Sequence, residues 1–313
     1  MRVVVFDIGG TNCRAALADL WQGRVRLLAH KSLAGDEWQG LSDLVRLYCA
    51  VVEEAGQGEK EDIAAVCLAL AGPTDGKKAS LSNRAFVLER SEAEKAFAKP
   101  VFLVNDFEAV SMAMEPESAS QGIHVYGKNP DCGKIRASAG AGTGFGCGLL
   151  LPGGVFVPSE GGHMALALVS ERERELASAF GPMPEMDDLV SGRGLEALAR
   201  AITGRQMSAA DASALYLQDE ESELFVHFAR LFARACRNWA LATMCRGGLW
   251  IAGGIAMKNP LLVQSRHFRT EFVKGKGELA TFLEEVPVSQ FLDEDLGLKG
   301  AALIALRRAC TQG

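Results

Sequence analysis

The residues of this chain best suited to chemistry fall in four short stretches. Two of them, Asp7-Ile8-Gly9-Gly10-Thr11-Asn12 and Gly140-Ala141-Gly142-Thr143-Gly144, turn on a Gly-Thr pair. Glycine lets backbone N–H groups crowd around a phosphate, and a threonine hydroxyl adds a donor without adding charge. Paired, such turns would clamp one polyphosphate, whereas a single glycine turn also suits an ordinary hairpin. Asp7, just before the first turn, would hold Mg²⁺ directly or through a water, because Mg²⁺ favours one or two carboxylates with phosphate oxygens and retained water.

The third stretch is Asn105-Asp106, which ends the apolar run Val101 to Val104. A carboxylate there can be set against a substrate hydroxyl as general base, and the position equally suits an N-cap for a helix starting near Phe107. Asn105 offers amide donors and a carbonyl acceptor, a set that suits a polyol. The fourth, Ser159-Glu160-Gly161-Gly162-His163, places a carboxylate and an imidazole around glycines that admit a ligand close to the backbone. Alone it reads equally as a surface turn with a solvated Glu160 and a structural His163. No cysteine cluster surrounds His163, so sugar hydroxyls are better partners for it than a metal.

Other nucleotide motifs do not fit. No glycine-rich stretch runs into Gly-Lys-Ser or Gly-Lys-Thr, which disfavours the P-loop classes, and Lys274 and Lys276 read as a solvated turn. Gly142, Gly144 and Gly146 lack the dinucleotide-binding spacing, and an apolar strand rather than a helix follows them.

The elements that must position these residues can be read from periodicity. Val3 to Phe6 is a buried strand, Cys13 to Leu17 a returning one, and Leu41 to Val52 has helical spacing that stops before Gly56. Ile63 to Leu70 and Val101 to Val104 are buried strands, the second delivering Asn105 and Asp106 to its C-terminal end, where ligands collect in α/β folds. Ser138 to Leu151 repeats the strand, glycine turn, strand arrangement of the first loop, which suggests a duplicated core. An amphipathic helix spans about Ser222 to Met244, Leu249 to Ala252 is a strand turning at Gly253-Gly254, and Asn259-Pro260 is expected to supply an N-cap and first-turn proline for another helix. An apolar helix covers Leu298 to Leu306.

At 313 residues, 48% apolar and 23% charged, the chain has the composition of a globular protein of about two domains, which leaves the fold itself open. A net charge of -6 gives no footprint for nucleic acid or an anionic membrane, so small-molecule chemistry is expected. The apolar runs are too short for a signal-peptide core or a membrane span, and a cytoplasmic location is expected. Eight scattered cysteines indicate neither a disulfide framework nor a zinc ribbon, and Cys67 and Cys147 read as core residues.

With these pieces in place, the chain resembles the bacterial glucokinase family, ATP-dependent hexokinases of the actin-like ATPase superfamily, over essentially its full length. The resemblance rests on an ordered series. Asp7 to Asn12 looks like the first phosphate loop, Val104-Asn105-Asp106-Phe107 the catalytic segment, Gly140 to Gly144 the second phosphate loop, Glu160 to His163 the sugar segment, and Ile251-Ala252-Gly253-Gly254-Ile255 the stretch beside the adenosine. It implies a two-domain actin-like (ribonuclease H-like) fold with a cleft between a smaller N-terminal domain, 1–110 plus 297–313, and a larger one, 111–296. It further implies that Asn105, Asp106, Glu160 and His163 bind glucose, that Asp106 takes the proton as the 6-hydroxyl attacks the γ-phosphate of ATP, that Mg²⁺ is required and that the protein is a homodimer.

Two departures stand out. Asp187, in Asp187-Asp188-Leu189-Val190-Ser191-Gly192, occupies the place of the family's usual sugar-binding glutamate and reaches one methylene less far, which leaves the preferred hexose open. Phe86 replaces a usual tryptophan and reads as packing. The nearest rival is a ROK-like or broader-specificity hexose kinase, acting on mannose, fructose or N-acetylglucosamine, but the cysteine-rich zinc loop typical of ROK kinases has no counterpart between Cys147 and Cys236. A non-catalytic sugar sensor is the rival of another class. The first loop at residue 7 leaves no place for an N-terminal helix-turn-helix, and Asp7 with Asp106 favours catalysis.

Overall fold

The computed structural model describes residues 1–9, 12–35, 37–56, 63–82 and 84–312. The chain packs as two units, one of residues 1–121 and 294–313 and the other of residues 122–293.

The first unit is built on five strands, β1 (Arg2–Ile8), β2 (Asn12–Trp21), β3 (Arg24–Ala34), β4 (Ile63–Leu70) and, after a small hairpin of β5 (Lys78–Leu81) and β6 (Arg84–Glu89), β7 (Val101–Asn105). They lie in the order β3-β2-β1-β4-β7. The first three pair antiparallel, and β1, β4 and β7 run parallel. Parallel strands covered on both faces need unbroken apolar runs, which is why Val3 to Phe6 and Ala65 to Leu70 are fully buried. Helix α1 (Leu41–Glu54) buries Leu44, Leu47, Tyr48, Val51 and Val52. Helix α2 (Arg90–Phe97) adds Ala93 and Phe97 to the same core, and α3 (Asp106–Met112) leaves the end of β7. Phe86 is buried edge-on to Trp38, the rings 5.3 Å apart, so its place in the chain is indeed one of packing.

The second unit holds β8 (Gly122–Tyr126), β9 (Arg136–Ala141), β10 (Phe145–Leu151), β11 (Val155–Ser159) and α4 (Glu171–Leu176). There follow α5 (Met186–Leu189), α6 (Gly192–Thr203), α7 (Ala209–Tyr216), α8 (Glu223–Thr243), β12 (Gly248–Ala252), α9 (Gly254–Lys258), α10 (Leu261–Gln264), α11 (Arg266–Phe272), α12 (Glu278–Glu285) and β13 (Val288–Phe291). Its sheet runs β11-β10-β9-β12-β13-β8. From β11 to β13 this is two antiparallel pairings followed by two parallel ones, the pattern of the first unit. The echo of the two Gly-Thr turns is thus an echo of whole sheets.

Helix α8 is the spine of this unit. Ser222 caps it, its side chain accepting from the Phe225 N–H at 3.1 Å. Leu224, Phe225, Phe228, Leu231, Phe232 and Ala235 are buried along one stripe, with Phe232 edge-on to both Phe145 and Phe268. Trp239 donates its indole N–H to the Ser138 carbonyl at 3.1 Å, tying the helix to β9.

One local expectation fails here. Asn259 is buried at the C-terminal end of α9, where its amide oxygen accepts from Ser213 and Gln218, and Pro260 takes the cap position of α10. A polar side chain that can be satisfied in the interior has nothing left for capping.

The chain then returns to the first unit as α13 (Leu296–Gln312), packed on α3, β1 and β4. Gly300 lies so close to the Ala109 carbonyl of α3 that a Cβ would overlap it. All eight thiols are free, with Cys67 and Cys147 among the five that are buried. Among the described residues no helix is long and apolar enough to cross a membrane.

Candidate functional site

In the first unit the register of the parallel strands sets the chemistry. Ile8 lies opposite Leu70, and Leu70 opposite Asn105, so the residues after β1 and β7 emerge at one edge of the sheet. Gly9 closes the first turn by donating its N–H to the Asn12 carbonyl at 2.9 Å, while Gly10 and Thr11 lie outside the described residues. Asp7, the last residue but one of β1, faces its cross-strand partner Arg14, whose guanidinium donates to the carboxylate at 2.6 Å. That charge and burial together act on neighbouring Cys13, whose thiol is pushed up to about 12, chiefly by burial and then by Asp7.

Asn105 and Asp106 divide the roles that position alone leaves open. Asn105 is the N-cap of α3, accepting from the Phe107 N–H at 2.8 Å, while its amide donates to the Gly72 carbonyl at 3.0 Å. One amide hydrogen and one lone pair of Asn105 are thereby committed to the fold. Asp106 is the first residue of the helix, half-buried, with one carboxylate oxygen accepting from the Phe107 N–H at 2.9 Å.

In the second unit three turns converge. Ala252 lies opposite Gly140 in parallel register, so the turn after β9 and the turn after β12 sit side by side. Gly253 has φ +90°, and its missing Cβ leaves room for the backbone of Ala141. Gly254 begins α9 with open space around it. The third turn leads into α6, where Gly192 donates its N–H to the Gly142 carbonyl at 2.8 Å. Gly142, Thr143, Gly144, Gly253 and Gly254 are therefore brought together, with Thr143 exposed.

Beneath this cluster lies Asp187, on α5. One carboxylate oxygen accepts from the Phe145 N–H at 2.5 Å and the other from Arg193 at 2.6 Å. Its side chain presses on Gly144 so closely that a Cβ there would overlap it. Asp187 thus binds the second glycine turn, and both of its oxygens are engaged by the chain itself.

Glu160 and His163 follow β11 in a single 3₁₀ turn, both exposed, with His163 Nε2 3.9 Å from Glu160. The other imidazole nitrogen, Nδ1, hydrogen-bonds Glu185 at 2.7 Å. That bond, and then the charges of Glu185, Asp187 and Glu160, raise the His163 pKa against a modest burial effect. Glu185 and Arg193 are the site residues that sequence reasoning overlooks. Glu185 is 22 positions from His163 and meets it only because Ala165 and Glu185 form an antiparallel bridge. Its one signal in the chain is an extra carboxylate two residues before Asp187.

Comparison with known proteins agrees with this architecture. The family model described as glucokinase matches residues 4–308. A glucokinase of Pseudomonas aeruginosa is 32% identical over 98% of this chain and 95% of its own length. Among solved structures, a glucokinase from an Antarctic psychrotroph superposes with a TM-score of 0.81 at 26% identity, covering 98% of this chain and 99% of that one. A ROK family glucokinase from Streptomyces griseus, in complex with glucose and AMPPNP, shares the fold with a TM-score of 0.69 at 20% identity, covering 98% of this chain and all of that one. The duplicated sheet pattern is that of the actin-like ATPase sugar kinases. Motif order, fold and similarity along nearly the whole sequence lead to one conclusion, that this chain is an enzyme of the glucokinase family.

Proposed function

We propose that the protein transfers the γ-phosphoryl group of ATP to the 6-hydroxyl of glucose, with Asp106 as general base. The observation that carries this reading is the placement of Asp106 on the first turn of α3, at the sheet edge that also presents Asp7 and the first glycine turn. Asp106 takes the hydroxyl proton as the sugar oxygen forms its bond to the γ-phosphorus and the bond to the β-phosphate oxygen breaks, releasing ADP. Asn105 retains one donor and one acceptor direction for the sugar after capping α3. Glu160 and His163 hold further hydroxyls.

Gly9, Gly10, Thr11 and Asn12 on one loop and Gly142, Thr143 and Gly144 on the other would receive the phosphates, with Gly253 and Gly254 beside the adenosine. The glucose and AMPPNP bound by the Streptomyces griseus relative support a sugar and a nucleotide as the ligands. Asp7 suits Mg²⁺, since a single carboxylate is what this ion takes when phosphate oxygens and water complete its shell. Bound with ATP, Mg²⁺ neutralises charge on the phosphates.

The test is a coupled assay of wild type and Asp106→Asn. The variant should bind glucose nearly as well and lose about 10²- to 10⁴-fold in kcat, the usual contribution of a positioned base. Near wild-type turnover would sink the assignment. Running the assay across glucose, mannose, fructose, glucosamine and N-acetylglucosamine, with ATP, ADP and polyphosphate as donors, ranks the broader hexose kinase reading against glucose.

A further inference from the structure

We infer that Glu185 is the positioning carboxylate of the sugar site, holding the His163 imidazole so that Nε2 and the Glu160 carboxylate grip one hydroxyl of the hexose between them. The inference rests on the sugar-kinase reading above.

The geometry is local and complete within one unit. Segment 164–166 is zipped to segment 184–186 by the Leu166 N–H on the Pro184 carbonyl at 2.8 Å and the Met186 N–H on the Met164 carbonyl at 2.9 Å. Glu185 is itself fixed, its N–H donating to Asp188 at 2.9 Å. These bonds set Glu185 2.7 Å from His163 Nδ1, and a proton on Nδ1 donating to a carboxylate turns Nε2 outward. Nε2 and the nearer Glu160 oxygen are 3.9 Å apart, too far to bond each other. A hydroxyl oxygen at ordinary hydrogen-bond distances of about 2.8 Å from both would fit between them. It accepts from Nε2–H and donates its own proton to Glu160.

That arrangement uses the imidazolium. The charged groups facing His163 are Glu185, Asp187 and Glu160, and all three favour its protonated form. Asp187 acts on His163 through its charge, while its two oxygens accept from the Phe145 N–H and Arg193. Its work is on the second glycine turn, and so on the nucleotide side of the reaction.

The sign of the pH effect follows. The His163 pKa is raised, so the gripping form persists to higher pH than for an ordinary histidine, and the sugar KM should rise once the pH passes that raised value. With the Glu185 charge removed, the rise moves to lower pH.

The experiment compares wild type, Glu185→Gln and Asp187→Asn, by KM for glucose and ATP across pH and by NMR titration of His163 in the free protein. Glu185→Gln should raise the glucose KM about 10-fold at neutral pH, as expected for a lost charge-assisted hydrogen bond, and shift the His163 midpoint to lower pH. The KM for ATP should stay within about twofold, the spread expected of a residue with no uniform effect on both substrates. Asp187→Asn should show the reverse, a raised KM for ATP. An unmoved His163 midpoint and glucose KM in Glu185→Gln would overturn the inference, as would an Asp187→Asn variant that loses glucose as severely as Glu185→Gln. Active wild type with an unaffected Glu185→Gln defeats this inference alone, whereas a wild type inactive on every hexose defeats the kinase reading and this inference with it.

Discussion

Carboxylates of one chemical kind are given different tasks here by what each already holds. Asp7 faces Arg14, Asp187 faces a backbone N–H and Arg193, Glu185 faces His163, and Glu160 has 84% of its side chain in solvent. The special positions of Asp106 and Glu160 were legible from flanking residues, because a strand end and a glycine turn are written locally. The partner of His163 was not, since the 22-position separation carries no trace of the bridge that joins them. The same logic makes Gly144 a sensitive position. Gly144→Ala puts a methyl group against Asp187, so the carboxylate must leave the Phe145 N–H or the turn must shift. The expected outcome is a KM for ATP raised about 10-fold, the size of one lost charge-assisted bond, with glucose affected less. Steady-state kinetics with each substrate varied in turn checks it.

Elements were readable wherever one apolar period ran unbroken. Ile63–Leu70 is both the expected and the observed strand, and the α8 stripe has the buried face its spacing required. Asn259 misled because its dipeptide with Pro260 is a capping signal only when the amide faces the helix, and burial turned it to Ser213 and Gln218. Two contacts between elements carry predictions. Gly300→Ala drives a methyl group into the Ala109 carbonyl, which should cost about 1–3 kcal/mol in urea unfolding and lower kcat, since α3 carries Asp106. In the second unit Arg234, 1% exposed, bonds Glu173 of α4 and Glu271 of α11 from its place on α8, at 2.8 Å each. Arg234→Ala leaves buried Glu173 without its main partner and Glu271 with Lys274 as its remaining close one, and should destabilise by about 3–5 kcal/mol.

That ion cluster also fixes a pH response. Burial by itself would raise the pKa of Glu173 and Glu271, but the bonds from Arg234, with the Val169 N–H on the first and Lys274 on the second, outweigh it and hold both below the ordinary value. A depressed folded pKa contributes stability that is present above the unfolded value of about 4.3 and is lost as the pH falls through the folded one. The penalty of Arg234→Ala should therefore be largest near neutrality and shrink toward about pH 4, where the unfolded carboxylates take up protons. Urea titrations at both pH values measure it, and an equal penalty at both would argue against the ionic account.

At the scale of the molecule, the repeated Gly-Thr turns announced a repeated sheet, and this was the most informative long-range signal in the chain. The number of strands added at the edge of the second sheet had no such signal, because β8 and β13 pair across more than a hundred and fifty residues. Expressed alone, residues 122–293 contain a whole core and should melt cooperatively by circular dichroism. Residues 1–121 alone should not, because α13 covers β1 and β4.

The return of α13 sets an order of events at the ribosome. The second unit can finish folding while the sheet that carries Asp7 and leads to Asp106 still waits for α13, which follows the second unit in the chain. A chain that stops after Asp293 but before α13 would hold the second unit intact and an uncovered first sheet. Such a product presents the apolar backs of β1 and β4 to chaperones and proteases. Until α13 is made, α3 and the Asp106 it carries lack the helix they pack against.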